Sequence, residues 1–219
     1  MALLLAATAA SAQTTSPSAP LTIRFAEREV AVSGATVGGK VAWFSVAKEI
    51  RNFALLQRRD AITEANAAGE AAFVLDEAVP PVSIWVAVDV ATGQFAVASP
   101  PTFEPRELVL AADALQPGRH GSDDEITDNH EFLEMTLVRP SKGSGTLAGA
   151  WGGTVGDGGQ SDDSAKPNGQ VALSLSRLRP IGPSAELRPP VLTPGDVLAV
   201  IDPNEMAVTV TTVSPGARP

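Results

Sequence analysis

Residues 82–90 read Val-Ser-Ile-Trp-Val-Ala-Val-Asp-Val, and no other stretch limits the choice of fold so strongly. Val82, Ile84, Val86, Val88 and Val90 fall on one side of a period-two register, and Ser83, Trp85, Ala87 and Asp89 on the other. Successive side chains of an extended backbone point to opposite faces, so this alternation predicts a β-strand. Pro80-Pro81 precedes the run, and Ala91-Thr92-Gly93 follows it as a turn. Residues 94–98 are then placed to pair back, before Ser99-Pro100-Pro101 ends the unit.

A lone strand is not stable in water, and the rest of the chain supplies neighbours for it. Eighteen prolines and nineteen glycines separate segments rich in Val and Thr. In the first half, residues 21–25, 29–33, 40–47 and 71–75 read as strands. Residues 40–47 (Lys-Val-Ala-Trp-Phe-Ser-Val-Ala) are apolar on both faces, the pattern of a central, doubly buried strand. Residues 46–59 carry helical spacing at Val46, Ile50 and Phe53, yet their neighbours favour a returning hairpin strand over residues 52–58. Residues 65–70 read as a loop. In the second half, residues 107–112, 132–139 and 171–178 are further strand candidates. Residues 196–201 and 206–213 form a hairpin about Asp202-Pro203-Asn204-Glu205, with Val197, Ala199 and Ile201 facing Val208 and Val210. Residues 143–169 read as a long Gly/Ser/Asp-rich connection, interrupted by residues 147–155 around Trp151.

The expected fold is therefore all-β, with short antiparallel strands. About seven strands between residues 20 and 100, with a Trp in the third, resemble an immunoglobulin-like or fibronectin-type sandwich in architecture. The paired cysteines of antibody domains are absent, and so is any tyrosine. The chain divides into residues 1–12 as a signal peptide, 13–20 as a polar stalk, 21–101 as the sandwich and 102–213 as a second β-rich unit, with a tail at 214–219. The leader reading rests on the apolar residues 3–10 and on Ala10-Ser11-Ala12, an A-x-A pattern that places cleavage before Gln13. It departs from the usual pattern in one respect: no Lys or Arg precedes Arg24. The localisation expected is periplasmic or extracellular.

Charge and composition remove several classes of function. The net charge is −9, and the only lysines are Lys40, Lys48, Lys142 and Lys166, so there is no basic footprint for nucleic acid. With no cysteine, disulfides, zinc–thiolate sites and cysteine nucleophiles are impossible. No apolar run is long enough for a transmembrane helix. No G-x-x-x-x-G-K-[ST] phosphate loop and no G-x-S-x-G elbow occur. His130-Glu131-x-x-Glu134 lacks the second histidine of a zinc-protease helix.

Two acidic stretches remain. Asp123, Asp124 and Asp128 lie near His120 and His130, and Asp157, Asp162 and Asp163 lie in the Gly-rich segment. Carboxylates in loops supply the oxygen ligands that Ca²⁺ prefers, so these six aspartates are the metal candidates. Neither stretch has the spacing of an EF-hand, and solvated acidic loops are the simpler reading. No catalytic or organic-cofactor residue is singled out. Trp151 is the one aromatic that a sugar-binding face has available, set against a core role. The expectation is a non-enzymatic exported β-sandwich, a structural, adhesion or assembly module of the bacterial envelope with a protein or envelope component as partner. The strands at 29–33 and 206–213 are its candidate pairing edges. The oligomeric state is left open. The alternatives are a Ca²⁺-stabilised extracellular binding module and a hydrolase whose carboxylate site is not visible as a motif.

Overall fold

The computed structural model describes residues 20–48, 56–109, 132–141, 149–156, 179–181 and 192–215. These contain strands and no helix. The first seven strands are β1 (Thr22–Phe25), β2 (Glu29–Ser33), β3 (Lys40–Lys48), β4 (Leu56–Glu64), β5 (Glu70–Val74), β6 (Ser83–Asp89) and β7 (Phe95–Ala98). Then follow β8 (Arg106–Glu107), β9 (Phe132–Arg139), β10 (Gly149–Gly156), β11 (Arg179–Pro180), β12 (Val197–Asp202) and β13 (Ala207–Thr212). They form three sheets, ordered β1-β2-β5, β4-β3-β6-β7 and β11-β10-β9-β12-β13-β8. Every pairing is antiparallel except the short parallel contact of β8 with β13.

The sheets are layered, and the four-stranded sheet lies in the middle. On one of its faces Val41, Trp43, Trp85 and Ala87 pack with Val30 and Val32 of the three-stranded sheet. On the other face Phe44, Val46, Ile84 and Val86 pack with Val197 and Ile201 of the six-stranded sheet. The alternation within residues 82–90 thus has a concrete meaning: the valine and isoleucine positions face one layer, and Trp85 and Ala87 face the other. Both faces of β6 are buried, as are residues 41–47 of β3. Burying a large aliphatic or aromatic side chain contributes roughly 1.5–3 kcal/mol, so the two apolar layers supply much of the driving force.

Several polar groups inside this core are satisfied locally. Trp43 Nε1 donates to Thr63 Oγ1 at 2.7 Å, and Trp85 Nε1 to Ser83 Oγ at 3.0 Å. Phe73 stands edge-on to both indoles, with ring centroids 6.4 Å from Trp43 and 5.4 Å from Trp85. In the six-stranded sheet, Arg139 Nε and Nη2 each donate to the Asp196 carboxylate at 2.9 Å. Thr193 N–H adds a third donor to the same buried group, fixing the start of β12 against the end of β9.

Several expected elements stand as read, and others are corrected. The strand at 132–139 has the expected bounds. The hairpin of β12 and β13 pairs Ala199 with Val210 and Ile201 with Val208, as its alternation predicts. The returning strand expected at 52–58 is β4, which runs on to Glu64; residues 49–55 lie outside the described part. Of the strand expected at 107–112, Glu107 lies in β8 and Leu108 and Val109 follow it outside any strand; residues 110–112 lie outside the described residues. Residues 149–156, placed within a Gly-rich connection, form β10. Glycine weakens a strand by offering no side chain to pack, but β9 pairs with all eight of these residues and overrides that cost. The candidate strand at 171–178, the leader, most of the stalk and residues 216–219 of the tail lie outside the described residues.

Candidate functional site: the β7 edge

The two strands proposed as pairing edges fare differently in the fold. Residues 29–33 are β2, hydrogen-bonded on both sides by β1 and β5, so they have no free edge. Residues 206–213 contain β13, paired along its length with β12 and met on its other side by β8 at Ala207 and Val208 alone, so Thr209–Thr212 keeps a side that no described strand pairs. Among the described residues, the middle sheet ends at β7, Phe95-Ala96-Val97-Ala98.

The turn that presents β7 is built around Asp89. This carboxylate is 1% exposed. Its Oδ2 accepts from Thr36 Oγ1 at 2.7 Å, Thr36 N at 3.2 Å and Thr92 Oγ1 at 2.8 Å, while Oδ1 accepts from Ala91 N at 3.1 Å. One side chain therefore ties the β6–β7 turn to the connection between β2 and β3. Gly93 closes the turn with φ at 75°, donating its N–H to Asp89 O at 2.8 Å. Gln94 O accepts from Asp89 N at 2.8 Å, which sets the register of the strand that follows. At the far end, Phe103 N–H bonds to Pro100 O at 2.9 Å, and Ser99 Oγ donates to Phe103 O. Pro100 and Pro101 have no N–H to continue the ladder.

β7 pairs with β6 as Phe95 with Val88, Ala96 with Ala87, Val97 with Val86 and Ala98 with Trp85. Bonded and non-bonded pairs alternate along an antiparallel ladder. Asp89 and Gln94 form a bonded pair, so Ala96 and Ala98 turn their N–H and C=O groups toward β6. Phe95 and Val97 turn theirs outward. The side chains of Phe95 and Val97 are each 38% exposed. Lack of charge is shared with Thr209–Thr212 of β13, but of these two edges only β7 has exposed large apolar side chains; the other edges are charged. β1 carries Arg24, β4 carries Arg59, Asp60 and Glu64, β5 carries Glu70, and β8 carries Arg106 and Glu107. Charged edge residues deter strand addition; an uncharged, half-exposed apolar edge accepts it.

The remaining candidates are separate from this edge. Asp123, Asp124, Asp128, Asp157, Asp162 and Asp163 lie outside the described residues, as do His120 and His130. No group of three potential metal-ligating side chains is found among the described residues. Glu134 is buried on β9 opposite Ile201, inside the sheet layers and away from any surface. Trp151 lies in β10, opposite Leu137 of β9 and Pro180 of β11. The outer face of the three-stranded sheet has an open depression of about 520 Å³, floored by Ala31, Ser33 and Ala72. Four of its polar side chains bond in pairs: Arg24 Nη2 to Ser33 Oγ at 3.3 Å, and Asn66 Nδ2 to Glu70 Oε2 at 3.4 Å.

The sequence reading missed β7 as an edge, because edge position depends on strand order and strand order is non-local. Its signal was nonetheless present: a short run without charge, bounded by Thr92-Gly93 and Pro100-Pro101. No described helix is long and apolar enough to cross a membrane. No family model, curated protein or solved structure matches this chain.

Proposed function

We propose that this chain is a non-enzymatic, exported β-sandwich module of the bacterial envelope that engages a protein partner by strand addition at β7. Its first two sheets are an immunoglobulin-like or fibronectin-type sandwich in this reading. Support comes from seven strands divided three and four between facing antiparallel sheets, with the chain crossing between them after β2, β4 and β5. Export rests on the apolar residues 3–10 and the Ala10-Ser11-Ala12 pattern. The observation that carries the binding role is the uncharged β7 edge, where Phe95 and Val97 expose apolar side chains and, among the described residues, no strand pairs the side away from β6. Main-chain hydrogen bonds supply affinity in such pairing, and the alternate side chains supply selectivity.

The test is cellular. A photo-crosslinking amino acid replaces Val97 in the full chain, expressed in a bacterium with two membranes. The expected result is an envelope fraction containing protein that starts at Gln13 and forms a covalent adduct on illumination. Retention of residues 1–12 in the cytoplasm, or an exported protein without any adduct at Val97, overturns the reading.

A further inference from the structure

We draw no further inference here: the strongest candidate, the open depression on the outer face of the three-stranded sheet, rests on the exposed carboxylates of Glu29, Glu64 and Glu70 around a floor of small residues, and nothing among the described residues points to what it would hold.

Discussion

Asp89 shows how much of this fold depends on single side chains. Its carboxylate accepts from Thr36, Ala91 and Thr92, and so joins the β6–β7 turn to the neighbouring layer. Removing it leaves several of those donors without a partner in a site that is 1% exposed. Asp89→Ala should therefore destabilise the protein by about 1–3 kcal/mol, measured by urea unfolding. A midpoint equal to that of the parent protein would show that the turn holds without the carboxylate. Gly93 is the second such residue. Its φ is 75°, and an added Cβ would stand 2.9 Å from Pro140 Cγ. Gly93→Ala should cost about 1–3 kcal/mol in the same assay, since a left-handed backbone is strained for any side chain. Gly38, with φ at 66° and open space around it, isolates the backbone contribution; Gly38→Ala should cost less than Gly93→Ala. The sequence made Asp89 legible as a polar residue on the Trp85 side of its strand. The Thr36 partner was not legible, because the two lie 53 positions apart.

At the scale of elements, β3 is the informative strand. Trp43 and Phe44 are neighbours in sequence and face opposite layers, one packed with Val30 and Trp85 and the other with Ile84 and Ile201. Trp43→Ala and Phe44→Ala should each cost about 3–5 kcal/mol in chemical denaturation, because each empties a separate apolar layer. A cost confined to Trp43→Ala would mean that the Phe44 face is open to water. The doubly apolar pattern of residues 40–47 announced this strand, and alternation announced β6 and the β12–β13 hairpin. β10 was obscured by its own composition: Gly149, Gly152, Gly153 and Gly156 resemble a loop until eight register partners in β9 are known. The free edge was misread for the same reason. Residues 29–33 and 95–98 both look like short apolar strands, and only the order of strands makes the first central and the second terminal.

The described residues form three sheets, the middle one covered on both faces. Ser99-Pro100-Pro101 punctuates the chain in composition, yet the apolar layer around Phe44 draws residues from both sides of that break, including Val138, Val197 and Ile201. Backbone bonds cross it as well: Ser141 N–H donates to Val90 O at 2.9 Å. Local patterning identified the strands on each side, but packing between segments a hundred residues apart leaves no local signature. The central claim, that the six-stranded sheet and the two other sheets stabilise one another, is tested most directly with tryptophan fluorescence. In a Trp151→Phe background the remaining reporters, Trp43 and Trp85, lie only in the middle sheet. Ile201→Ala removes a fully buried side chain from the six-stranded sheet. The layered account predicts one urea transition, lowered by about 2–5 kcal/mol. A Trp43 and Trp85 signal with an unchanged midpoint would contradict it.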